Sequence, residues 1–161
     1  MKNSSTGFPA DDEAIRAMLH FGLSRAIQLH SEEIRANHPQ LKLEFDLVDD
    51  ENMLPEPVVL ALFRVYQEAI NNIERHAQAS SIWIRYYPDG NAMTLVIRDD
   101  GKGFSIPADW AKFASTRSGV MGMKKRIEAI GGNLNITSEP GQGTQIHVTV
   151  PLPEEKVPGK E

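Results

Sequence analysis

The sequence predicts a two-layer α/β sandwich, with a mixed, mostly antiparallel sheet of about five strands and about three helices on one face. Three observations carry this expectation. Five short segments alternate apolar and polar residues, the period of a half-buried strand. Longer segments repeat apolar residues at helical spacing. The later strands are separated by tight-turn sequences that join neighbours as hairpins.

The first helical segment runs from about Asp11 to Asn37, where Ile15, Met18, Leu19, Leu23, Ala26, Ile27 and Ile34 recur. Gly22 interrupts it, which leaves either one helix or two. His38-Pro39 stops the run, because the residue before a proline is pushed out of the helical region. Leu41, Leu43, Phe45 and Leu47 then alternate with Lys42, Glu44 and Asp46 as a strand. Pro55 and Pro57 stand where a helix can begin. Its apolar face is Leu62, Val65, Tyr66, Ala69, Ile70, Ile73 and Ala77.

Two strands follow, Ser81 to Tyr87 and Met93 to Asp99, with turn chemistry at Asp89-Gly90-Asn91 between them. Residues 101 to 118 lack periodicity and read as a long loop, a length usually associated with function or disorder. Helical spacing resumes from Met121 to Ile130, and Gly131-Gly132 ends it as a left-handed cap would. Leu134 to Ile136 and Ile146 to Val150 complete the strands across Pro140-Gly-Gln-Gly143.

At 161 residues and 40% hydrophobic, the chain can bury one core: residues 13–153 form a single domain between disordered tails, 1–12 and 154–161. A net charge of −5 argues against a nucleic-acid partner. The absence of cysteine excludes disulfides and thiolate metal sites, which fits a cytoplasmic location. No apolar run reaches membrane-spanning length, so direct membrane contact by this domain is not expected. As an isolated domain it is expected to be a monomer. His20, His30, His38 and His147 lack metal-ligand spacing and read as surface or packing residues, and Trp83 and Tyr87 read as packing.

Three motifs carry chemistry. On the central helix Glu68, Asn72 and His76 fall four residues apart on one face, flanked by Arg75. An Asn carbonyl oxygen suits Mg²⁺, Arg and His donors can reach phosphate oxygens, and Glu68 could orient or deprotonate an attacking group. The same row alone also fits a solvated helix face, although Asn71-Asn72 is disfavoured in a helix interior. In Asp99-Asp-Gly101-Lys-Gly103-Phe104 an acid ends a strand ahead of two glycines. A carboxylate there only accepts, which suits an exocyclic amine such as that of adenine; a plain surface turn is the other reading. Alternation points Asp100 away from Asp99, as the solvated member. Gly119-Val120-Met-Gly122-Met123 leads into a helix, whose unpaired amides favour anions, though a simple loop before a helix would look similar. Eight of the twelve glycines lie between Gly101 and Gly143, which favours a backbone shaped around a ligand.

From roughly Phe21 to Leu152 these motifs, with Ser138-Glu-Pro-Gly-Gln-Gly-Thr144, resemble the N, G1 and G2 boxes and final Gly-Thr element of a known family. It is the catalytic ATP-binding domain of bacterial two-component sensor histidine kinases, and the subgroup with nitrate/nitrite sensors is the most similar. The resemblance implies the Bergerat-type fold shared with gyrase B, MutL and the heat-shock chaperone, with ATP and Mg²⁺ bound. It implies Asn72 as the magnesium ligand and Asp99 as the adenine acceptor, with Gly101 and Gly103 shaping the base pocket. Gly119, Val120, Gly122 and Met123 would border the phosphates, Thr144 would lie near the base, and Arg75 and His76 would face the phosphate side. Glu68 is the catalytic candidate. The implied partners are a phosphate-accepting dimerisation helix domain and then a response regulator.

Two departures stand out. Arg117-Ser118-Gly119-Val120 stands where the family often has Gly-x-Gly-Leu, and a helix carrying His followed by Asp is missing. The second departure leaves open an anti-sigma-factor-type serine kinase and binding module with the same pocket, or a degenerate nucleotide sensor.

Overall fold

A computed structural model describes residues 12–105 and 119–153. The segments read as tails, apart from Asp12, most of the 101–118 loop and the Arg117-Ser118 departure lie outside the described residues, as do the side chains of His76 and Ala77. In chain order the elements are α1 (Asp12–Leu19), α2 (Leu23–Asn37), β1 (Lys42–Leu47), α3 (Glu56–Asn72), a π-helical turn (Ile73–Ala77), β2 (Ser81–Asp89), β3 (Ala92–Asp99), α4 (Val120–Ala129), β4 (Asn133–Glu139) and β5 (Gly143–Pro151).

The five strands form one sheet in the order β1-β2-β3-β5-β4. β1 pairs parallel to β2, with α3 as the crossover, and every other pairing is antiparallel. The expected mixed sheet is therefore observed. The early helical run is two helices broken at Gly22, so the described residues hold four α-helices rather than about three. Gly22 adopts φ 101° and ψ 164°, which no helix can continue through.

Parity along the strands decides which face is covered. Ile82, Ile84 and Tyr86 of β2, Met93, Leu95 and Ile97 of β3, and Ile146, Val148 and Val150 of β5 are buried beneath the helices. α3 lies at the centre of that layer, packing on α1, α2, α4 and β3. Its Leu62, Phe63, Val65, Tyr66, Ala69 and Ile70 are all buried, as a helix packed on three sides requires. The opposite face carries Trp83, Arg85, Tyr87 and Arg98. Trp83 and Tyr87 are only half-buried there, with the Arg98 guanidinium 5.1 Å from the Trp83 ring and that of Arg85 4.7 Å from Tyr87. Their packing is therefore against arginines on the sheet's open side, not within the core.

The ends of the elements follow the sequence closely. Pro57 sits in the first turn of α3. α4 closes as a Schellman motif: the Gly131 amide donates to Glu128 O (3.0 Å) and the Gly132 amide to Ile127 O (2.9 Å), with Gly131 at φ 83°.

Candidate nucleotide-binding site

The inward parity of β3 places Asp99, its last residue, under the helical layer, where it is 3% exposed. The Gly101 amide donates to its Oδ1 at 2.7 Å. Burial pushes the Asp99 carboxyl above the ordinary carboxylate range; the Gly101 and Thr144 amides pull the other way, and the neighbouring Asp100 charge adds to the rise. A carboxylate offers about four lone-pair positions, so two backbone amides leave acceptor capacity for a further donor. Asp100 is exposed, as alternation predicts, but it is not merely solvated. Its Oδ1 accepts from the amides of Ser80 (2.8 Å) and Ser81 (2.9 Å), anchoring the start of β2.

The backbone after Asp99 is laid against the turn between β4 and β5. Gly101 is buried. Gly103 stands at φ 64°, and a Cβ there would overlap the Glu139 carbonyl oxygen, so no other residue fits without displacing the hairpin. Thr144 is half-buried and directly opposite Asp99 in the β3–β5 register. Its Oγ1 lies 2.9 Å from the Ser138 hydroxyl. Asp99, Gly101, Gly103 and Thr144 are thus one cluster on β3 and the β4–β5 hairpin.

A second cluster forms where α3 ends and α4 begins. Glu68 and Asn72 are half-buried on one face of α3. Gly119 caps α4 at φ 90°, and a Cβ there would run into the Glu68 carboxylate. Arg75 Nη2 stands 3.7 Å from Glu68 Oε2, so the catalytic candidate is charge-paired. Beyond Asn72 the backbone passes into the π-helical turn Ile73–Ala77, and the side chain of His76, the last member of the predicted row, lies outside the described residues. Such turns re-aim the side chains that follow and recur at functional sites.

At α4 the side chains of Val120 and Met123 are buried in the core, 4% and 2% exposed. The Met123 amide already donates to Gly119 O at 2.9 Å. Among the described residues, a Cβ on Gly122 would meet nothing within 4 Å. α3, packed on both β3 and α4, is the element common to the two clusters.

Two residues here escaped prediction. Ser138 bonds Phe104, Gly143 and Thr144; in the sequence it opens the final Gly-Thr element and is a polar residue at an inward strand position, but neither signal gave it a role. Glu74, in the π-helical turn, meets His38 Nε2 at 2.9 Å, a contact between helices that spacing along the chain does not reveal. Among the described residues no cluster of three or more His, Asp or Glu could hold a metal unaided. Asn72 fits the other mode, in which one protein oxygen, waters and substrate phosphates share the ion.

Comparison with known proteins identifies the family and the fold. Residues 58–154 match the family described as histidine kinase-, DNA gyrase B- and HSP90-like ATPases. The chain is 34% identical over 119 residues to the histidine-protein kinase/phosphatase DegS of Brevibacillus brevis, covering 74% of this chain and 30% of that protein. It is 36% identical over 136 residues to the sensor histidine kinase LiaS of Bacillus subtilis, covering 84% and 36% respectively. The chain thus spans about a third of the length of these relatives. The histidine kinase domain of a blue-light activated kinase from Erythrobacter litoralis shares the fold, with a TM-score of 0.66 at 19% identity over 81% of this chain and 61% of that one.

Proposed function

The chain belongs to the histidine kinase-, DNA gyrase B- and HSP90-like ATPase family, and from that premise we propose that it binds Mg-ATP as the phosphoryl-donor domain of a sensor histidine kinase. The observation that carries the reading is Asp99, a buried carboxylate with spare acceptor capacity, set between backbone amides at the mouth of a glycine-bordered loop. Asp99 accepts the exocyclic amine of adenine, while Gly103 and Thr144 keep the wall beside it close to the base. Asn72 would hold magnesium together with phosphate oxygens, and the ion would supply charge neutralisation at the phosphates. The start of α4 offers amides to the same phosphates, and Arg75 lies on that side as a further donor.

The transfer itself needs orientation and charge stabilisation more than covalent chemistry from the protein. Glu68, kept in place by Arg75 and the Gly119 backbone, is the group positioned to accept a proton from an attacking nucleophile. The acceptor we propose is a histidine on a dimerisation helix domain, with a response regulator downstream. The serine-kinase and anti-sigma alternative is not favoured by relatives named as histidine kinases. Among the described residues no helix is long and apolar enough to cross a membrane.

Titration calorimetry with Mg-ATP tests the reading. The chain is expected to bind ATP, and Asp99→Asn to weaken binding by roughly 10- to 100-fold, the worth of a charge-assisted hydrogen bond of about 1.5–3 kcal/mol. Unchanged affinity in the variant would remove the role given to Asp99.

A further inference from the structure

One side chain bridges the loop that leaves β3 and the start of β5 beside the proposed base pocket. Ser138 lies on β4 with the inward parity of Leu134 and Ile136, where an apolar residue would normally stand. Its Oγ accepts from the Phe104 amide at 2.9 Å, donates toward Gly143 O at 3.0 Å and lies 2.9 Å from Thr144 Oγ1. A hydroxyl has one donor and two acceptor positions, so three partners use its full capacity. A second tie runs beside it, from the Gly141 amide to Lys102 O at 2.6 Å. Between the two ties Gly103 is pressed against the Glu139 carbonyl.

The consequence is geometric. The Gly101 amide that bonds Asp99, and the Thr144 amide that bears on the same carboxylate, sit on segments with no covalent neighbour in common. Ser138 joins them, one bond on the loop that leaves β3 and two on the start of β5. Remove the hydroxyl and Phe104 loses its acceptor, while Thr144 loses the partner of its side chain. β4 itself would persist, because its ladder with β5 is made by the backbone.

We propose that Ser138 is a positioning residue for base recognition, holding the loop after Asp99 in register with Thr144 so that the acceptor and its flanking wall meet adenine together. This rests on the nucleotide-binding reading above. The effect is specific to the base side, since the amides at α4 and the polar face of α3 are anchored elsewhere.

The test uses the whole chain in three forms: parent, Ser138→Ala and Ser138→Thr, the last keeping a hydroxyl. Affinities are measured by calorimetry for ATP and for inosine triphosphate, in which a carbonyl oxygen replaces the exocyclic amine. Amide hydrogen exchange is followed at Phe104 in the absence of nucleotide. Ser138→Ala should speed exchange at Phe104 and weaken ATP binding by about tenfold, the worth of one or two neutral hydrogen bonds. Inosine triphosphate affinity should hardly change, so the preference for ATP collapses, and Ser138→Thr should restore it. Equal losses for both nucleotides would mean a merely structural role and overturn the proposal, as would unaltered exchange at Phe104. If the parent binds neither nucleotide, the nucleotide-site reading fails first and takes this one with it. If the parent binds ATP and Ser138→Ala binds it equally well, this proposal alone fails.

Discussion

At Asp99 the proposed function and stability are opposed in a single residue. Its carboxyl titrates above the ordinary range because burial disfavours the charge, and the two amides do not fully offset that. The protonated form is therefore the one favoured by folding: this group's contribution is fully present below the unfolded-state value and is lost as pH rises through the folded-state value. Ionised, as the proposed role requires, Asp99 is a buried charge that costs stability and would serve to accept a ligand's donor. Asp99→Asn should thus raise the melting temperature at pH 7, by about 2–4 °C for each kcal/mol recovered, while it loses ATP affinity. A thermal melt in which the variant is less stable than the parent would contradict this. Acidification should weaken nucleotide binding before it unfolds the domain. Asn72 makes a separate claim: Asn72→Ala should reduce the magnesium dependence of ATP binding, and equal stimulation by magnesium in variant and parent would reject Asn72 as a ligand.

Elements, more than single residues, bring the site together. Gly119 shows how tightly α3 and α4 are fitted, since its positive φ and the nearby Glu68 carboxylate both exclude a side chain. Gly119→Ala should cost about 1–2 kcal/mol and push Glu68 away from Arg75, read as a lower melting temperature with weaker ATP binding. The strands, their turns and the cap of α4 were legible in the sequence because each follows from local alternation, proline and glycine placement. Asp99 was legible for the same reason, as the inward terminus of an alternating strand. The π-helical turn was not, because Ile73 to Ala77 continue an apolar helical stripe and nothing local distinguishes a wider turn. Val120 and Met123 show a second limit: a motif identifies a segment, but not that these two side chains are part of the core. Asp49 and Asp50 look alike in sequence, yet one is exposed and the other buried.

Across the whole molecule, Asp50 is the residue that ties distant parts together. Its carboxylate accepts from the amides of Leu23 (2.9 Å) and Ser24 (3.1 Å) and from the Tyr86 hydroxyl (2.8 Å), partners 27, 26 and 36 residues away. It caps α2 from outside that helix while gripping a central strand. Burial, then the Asp50 charge and hydrogen bond, push the Tyr86 hydroxyl well above the ordinary phenol range, so it remains a donor throughout the working pH range. Asp50→Ala leaves three donors without an acceptor and should destabilise the domain by about 3 kcal/mol or more, whereas Tyr86→Phe should cost about 1 kcal/mol. Chemical denaturation of the two variants checks the ordering, and near-equal midpoints would show that the carboxylate is not the hub. Ser24 adds a bond from its hydroxyl to Val48 O at the same joint. A hinge would bend at Gly22 and dissipate a twist arriving along α1. A joint pinned to the sheet at this spot is instead a fixed corner, in which the start of α2 keeps its place against β2.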